Sequence, residues 1–173
     1  MDELRSAVET GIRTAFAGVQ LGHGVSLRQA QVIDNYGRGV TDADFDALPR
    51  GEIIDDWSGV PLSEIERDCT AHLDGEGLRY YLPARMLTLL DHYDGLEMWV
   101  IGTISALAPR SEFQYSSWWL HSFLTDAQKA AIAAYVRALP QLVELDADDE
   151  DDLGRGLREY WRQYLPTSDA PAT

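Results

Sequence analysis

Residues 123–140 read FLTDAQKAAIAAYVRALP, and the reading of this stretch sets the fold class. Thr125, followed three residues later by Gln128, forms a capping box, in which each side chain satisfies a backbone N–H left open by the first turn of a helix. Behind it, Ile132, Tyr135, Val136 and Leu139 recur at spacings of three and four, one face of a helix of 3.6-residue period. Pro140 is read as its stop. The same grammar extends toward the amino terminus. Ser26 with Gln29 forms a second capping box, opening a helix whose inward face is Leu27, Ala30, Ile33 and Tyr36 and which closes at Gly37. Asp2 to Ala17 places Leu4, Val8, Ile12 and Phe16 in four-residue steps, with acids in the first turn and Gly18 as the stop.

The intervening sequence is less regular. A short helix is expected over Asp42–Leu48, then Trp57 in a loop, then a helix over Leu62–Leu73 with Ile65 and Cys69 on one face. In LRYYLPARMLTLLDHY (78–93), Pro83 lacks an N–H and crowds the preceding turn, which predicts a kink or break. Glu97–Leu107 is rich in Val, Ile, Thr and Trp and reads as an irregular or short strand-like element, a strand there needing a partner near Phe113–Trp119. The acidic run Asp146–Asp152 precedes a last helix, Leu153–Leu165, with Pro166 at its end. The expectation is a mostly α, bundle-like single domain over residues 1–165, with room for one short strand pair (an α+β variant) and a disordered tail over 166–173.

Composition narrows the function classes. A chain of 173 residues with 45% apolar residues and 5 Trp can build a sizeable core and is not of disordered type. Its 14 Lys and Arg against 29 Asp and Glu give a net charge of −15, which repels nucleic acid and anionic membrane and attracts a basic protein. Cys69 is the sole cysteine, so neither an intrachain disulfide nor a thiolate cluster is available. MDELRSAVET lacks the apolar core of a signal peptide, and Met98 to Ala108 falls short of the ~20 residues that span a bilayer. A cytoplasmic location is expected.

No phosphate-cradling loop, dinucleotide fingerprint or paired metal-type histidine is present in the sequence. Asp68 and His72 stand one helical turn apart, two ligands where a metal needs three or four. Asp148, Glu150, Asp152 and Glu159 mimic a calcium loop, but Leu153 stands where the loop needs glycine. Neither a metal nor a cofactor is called for. His92, between Asp91 and Asp94, has the company of a general base, although no serine lies in a nucleophile elbow. His23 lies between two glycines, which lets a ligand approach the backbone or simply makes a turn. Tyr80, Tyr81, Trp118 and Trp119 read as core, because no basic residues interleave them for nucleic-acid stacking.

Taken together, GVSLRQAQVIDNYG (24–37), LDGEGLRYYLPARM (73–86) and FLTDAQKAAIAAYV (123–136) resemble a bacterial domain family of unknown function, numbered 6714. The similarity covers roughly residues 4 to 140, and the helix after Asp152 has no counterpart in it. The resemblance implies one intact domain of a bacterial cytoplasmic protein and carries no activity with it.

The leading expectation is a non-enzymatic domain that binds a basic protein, as an immunity or antitoxin-like inhibitor does. Asp146, Asp148, Asp149, Glu150, Asp151 and Asp152 are its expected contact residues. The alternatives are a small enzyme with a pocket formed by His23, Asp34, Tyr36 and His92, and a ligand-binding or structural module that dimerises through Trp118, Trp119 and Trp161.

Overall fold

The computed structural model describes residues 2–36, 47–48, 50, 54–67, 69–109 and 122–166, with the side chains of Asn35 and Tyr36 excepted. Helix α1 (Asp2–Ala15) buries Val8 and Ile12, with Phe16 just beyond, and ends where Gly18 takes a φ of 73°. That conformation is open to glycine at little cost. Helix α2 (Leu27–Tyr36) begins with the expected reciprocal cap: Ser26 N donates to Gln29 Oε1 at 3.0 Å, and Gln29 N to Ser26 Oγ at 3.2 Å. The expected helix over 42–48 lies outside the described residues, apart from a turn at its end. Trp57, expected in a loop, is buried and opens a 3-10 turn, Trp57–Gly59. Its indole N–H donates to the Phe16 carbonyl at 2.8 Å and so satisfies the chain just past α1.

The expected helix over 62–73 is divided. Helix α3 (Leu62–Ile65) is a single turn, and Thr70–His72 forms a separate 3-10 turn. The cause is a buried cation. Arg85 donates to the Arg67 carbonyl at 2.6 Å and to the Thr70 hydroxyl, and these bonds turn the chain between the two pieces away from helical pairing.

Helix α4 (Gly75–His92) is continuous through Pro83, where a kink or break was expected. An interior proline costs about 3 kcal/mol. Here seven consecutive residues, Tyr80 to Met86, are buried, and apolar burial on every side outweighs that loss. Helix α5 (Met98–Leu107) replaces the predicted strand. Trp99, Val100, Thr103, Ile104 and Leu107 are its buried positions, a helical pattern that overrides the β-branched propensity. The Thr103 hydroxyl bonds back to the Trp99 carbonyl at 2.7 Å. The partner strand sought near 113–119 lies outside the described residues, among which no strand occurs.

Helix α6 (Asp126–Leu142) opens on the Thr125/Gln128 capping box and passes Pro140 by two residues before Val143 N closes it on Leu139 O at 3.0 Å. Leu142 packs against the core and holds that last turn. Helix α7 (Ala147–Glu159) starts six residues before the expected Leu153, because Asp146 caps it by accepting from Asp149 N at 2.9 Å. The acids belong to its first turn, where the helix dipole favours them. A 3-10 turn, Trp161–Tyr164, follows. The buried side chains form one contiguous cluster reaching from α1 to Trp161. Helix α1 packs on α6, and α7 packs on both α5 and α6.

Candidate functional site

The residues proposed for a pocket are distributed rather than gathered. The turn around His23 is a structural joint. A Cβ on Gly24 would lie 2.6 Å from Gly77 N, and one on Gly77 would overlap the Val25 carbonyl. Asp74 Oδ1 locks the joint by accepting from Val25 N at 2.9 Å and Gly77 N at 2.8 Å. The close approach that glycine permits is therefore used by α4, and the His23 side chain is exposed beside it. Asp34 pairs with neither His23 nor His92; its carboxylate meets His72 Nε2 at 3.0 Å. His92 lies at the far end of α4, lining a shallow cleft with Arg13, Ser58, Thr88 and Asp91. Sixteen helical residues separate Glu76, beside the His23 turn, from His92, roughly 24 Å at the helical rise. His23 and His92 cannot serve one reaction centre. The Tyr36 side chain lies outside the described residues.

The metal readings fare similarly. Asp68 lies outside the described residues, and Cys69 is buried with its thiol on the Leu27 carbonyl at 3.2 Å. Asp148, Glu150 and Asp152 stand at alternate positions of a regular helix, which sets Glu150 on a different side from the other two. Among the described residues no group of three or more His, Cys, Asp or Glu is arranged to hold a metal ion. Trp161, offered as a dimer contact, is fully buried with its indole on the Leu107 carbonyl at 2.6 Å, while Trp118 and Trp119 lie outside the described residues.

Two polar constellations were not foreseen in the sequence. Around α2 and α3, Glu64 accepts from Arg28 at 2.8 Å and Arg67 at 2.9 Å, and Arg67 also reaches Gln31 at 2.6 Å. Burial pushes the Glu64 carboxyl up, but the two guanidinium groups outweigh it and leave it below the ordinary range. The second joins the end of α4 to the start of α7. Tyr93, just past α4, donates to Asp149 Oδ2 at 2.9 Å and accepts from Asp146 N at 2.9 Å. Burial raises the Asp149 carboxyl, and Asp146, Asp152 and Asp148 add to the rise against the Tyr93 hydrogen bond. Burial likewise raises the Tyr93 hydroxyl.

This second constellation fixes the geometry of one end of the molecule. A Cβ on Gly95 would overlap the Asp146 carboxylate, so the chain entering α5 touches the cap of α7. At the other end, a Cβ on Gly156 would lie 2.8 Å from Ala108 Cα. The two helices therefore run side by side in the same direction, with their amino termini together. There, Leu96 is 89% exposed, Met98 53% and Ile101 42%. Asp94 and Glu97 are exposed in the same stretch of chain, and Asp146, Asp148, Glu150 and Asp151 are exposed at the start of α7, whose cap meets Gly95. Asp149 and Asp152 are half-buried, held by Tyr93 and Arg155 respectively. Of the large apolar side chains counted as exposed, only Leu62 lies elsewhere among the described residues.

Fold and site thus define a mostly helical, acidic chain in which, among the described residues, three of the four exposed large apolar side chains lie at one end of α5, near the acidic start of α7. The chain belongs to the family of unknown function DUF6714, whose model matches residues 4–165. That match runs past the segments quoted from the sequence and takes in α7 and the Trp161–Tyr164 turn. No curated protein and no solved structure matches the chain. Among the described residues no helix is long and apolar enough to cross a membrane.

Proposed function

We propose that this chain is a non-catalytic protein-binding domain whose acidic face docks a basic protein, in the manner of an immunity or antitoxin-like inhibitor acting in the cytoplasm. One observation carries the reading: exposed Leu96, Met98 and Ile101 lie at the end of α5 where Gly95 touches Asp146, the cap of acidic α7, in a chain of net charge −15. Apolar side chains supply affinity when they leave water, whereas the surrounding acids accelerate encounter with a cationic partner and reject anionic ones. The joint placing of both on one end is what an interface needs, an apolar centre with a polar rim.

The test is co-purification from lysate of the source organism at low and high salt, followed by association kinetics with the purified partner. A basic protein retained at low salt, whose on-rate falls with salt and with Asp148→Asn/Glu150→Gln/Asp151→Asn, supports the reading. A partner whose association is indifferent to salt and to those substitutions sinks it.

A further inference from the structure

The exposed side chains on α5 have a linear order. Met98, Ile101 and Ser105 follow at i, i+3 and i+7 on its outward face, opposite buried Trp99, Val100, Thr103 and Ile104, and Leu96 extends the row beyond the helix start. Acidic side chains do not flank this row evenly. Asp94 and Glu97 lie at its amino-terminal end, and the contact of Gly95 with Asp146 brings the acidic first turn of α7 to the same end. The carboxyl-terminal half of α5 leaves Ser105 exposed and Ala106 partly so, and has no charged residue. The surface is thus an apolar ridge with a negative pole at one end.

Such a ridge suits one kind of occupant. A row at i, i+3, i+7 is the complement of another helix, whose own rows of side chains settle beside it. The pole fixes that helix's direction. Helices carry Lys and Arg favourably in their last turn, where the dipole is negative. A helix ending in a basic turn matches this ridge only with its carboxyl terminus over the amino termini of α5 and α7. Resting on the docking function proposed above, we infer that the partner element is an amphipathic helix lying antiparallel to α5. Its apolar face covers Leu96, Met98 and Ile101, and its carboxyl-terminal Lys and Arg meet Asp94, Glu97, Asp146 and Asp148.

The experiment uses the full chain and three fluorescent peptides of equal length and charge. The first is an amphipathic helix with apolar residues at i, i+3, i+4 and i+7 and a basic last turn. The second carries the same apolar face with the basic residues moved to its first turn. The third is an uncharged-spacer oligolysine without an apolar face. Binding is read by fluorescence anisotropy. The inference expects the first peptide to bind at least tenfold more tightly than the other two, and Leu96→Ser/Met98→Ser/Ile101→Ser to remove that advantage, since each buried apolar side chain accounts for about a tenfold change or more. The triple variant exchanges exposed residues only, and an unchanged thermal melt verifies that it folds.

Equal binding of all three peptides, lost at high salt and unaffected by the triple variant, overturns the inference while the acidic docking function stands. Equal affinity for the first and second peptides overturns the antiparallel direction. Absence of binding to all three at low salt overturns both. A dimer of the chain alone, detected by light scattering and abolished by the triple variant, makes the ridge a self-association surface and also overturns the inference.

Discussion

Arg85 is fully buried at the centre of α4, and its replacement by methionine tests whether the divided segment between α3 and α4 is held as argued. Arg85 donates to the Arg67 carbonyl at 2.6 Å, to the Thr70 hydroxyl and, at a longer 3.4 Å, to the Trp99 carbonyl. Hydrogen bonds to a charged donor contribute about 1.5–3 kcal/mol each, and an orphaned buried acceptor costs about 1–3 kcal/mol. Two good bonds lost therefore amount to roughly 3–6 kcal/mol. Methionine fills much of the same volume and does not require the burial of a charge, and both effects reduce the loss. The carbonyls, however, cannot be removed along with the arginine, so the loss prevails. We expect Arg85→Met to destabilise by about 3–4 kcal/mol, a fall in Tm of roughly 10 °C for a chain this long. Denaturant unfolding followed by tryptophan fluorescence measures it, with the midpoint falling and the slope retained. Thr70→Val removes one acceptor, and its effect should shrink in the Arg85→Met background, since the two share a bond. A loss under about 1 kcal/mol for Arg85→Met, or strict additivity with Thr70→Val, refutes the assignment of Arg85 as the tie that divides the helix.

Other perturbations have equally definite outcomes. Gly77→Ala or Gly24→Ala drives a methyl into the facing backbone of the His23 joint and should cost about 1–3 kcal/mol or more in thermal melts, whereas Gly11→Ala, where nothing lies within 4 Å, should be neutral or stabilising. Asp149 and Glu64 should give opposite pH signatures. The raised Asp149 carboxyl favours the folded state below the ordinary aspartate pKa and loses that contribution as pH rises through its folded value, so Asp149→Asn should gain on the natural protein as pH rises toward neutrality. The lowered Glu64 carboxyl contributes above the ordinary glutamate pKa and loses its effect as pH falls, so the penalty of Glu64→Gln should shrink in acid. Melts from about pH 3 to about pH 7 separate the two, and parallel profiles would refute both assignments. Asp146→Ala should cost about 1 kcal/mol through loss of the α7 cap, read by the same melts.

The parts of the fold legible in the sequence are those whose signal is local. Both capping boxes, the apolar row of α1 and its stop at Gly18 depend on neighbours within four residues, and the structure places them as the spacing requires. The misreadings come from positions where a distant partner outweighs the local preference. Pro83 and the β-branched run at 98–107 each read correctly as unfavourable to a helix, yet burial on every side of α4 and along one face of α5 prevails. The helix expected over 62–73 divides because an arginine a dozen or more residues on takes up its carbonyl and hydroxyl. Nothing in the sequence marks that arginine except its place inside an apolar run, LPARM, where a cation must find acceptors. The candidate site follows the same division. The acids were legible as a run, but the exposed apolar side chains were not, because Met98 and Ile101 fall in the stretch read as strand-like, and only the helical period of α5 sets them on its outward face.

The acidic run itself answers two demands at once, and the structure separates them by residue. Asp146 closes the first turn of α7, and Asp149, through Tyr93, binds that turn to the end of α4. Burial and like charge leave Asp149 in an unfavourable position, a cost that holds the amino termini of α5 and α7 together. Asp148, Glu150 and Asp151 have no such structural duty and stay exposed. A helix start needs one cap and gains only a few tenths to about 1 kcal/mol from each further acid. Like charge offsets part of that gain, since Asp146, Asp152 and Asp148 all push the Asp149 carboxyl up. Under the docking function proposed above, these exposed acids and the apolar side chains left outside the core form the surface offered to a partner.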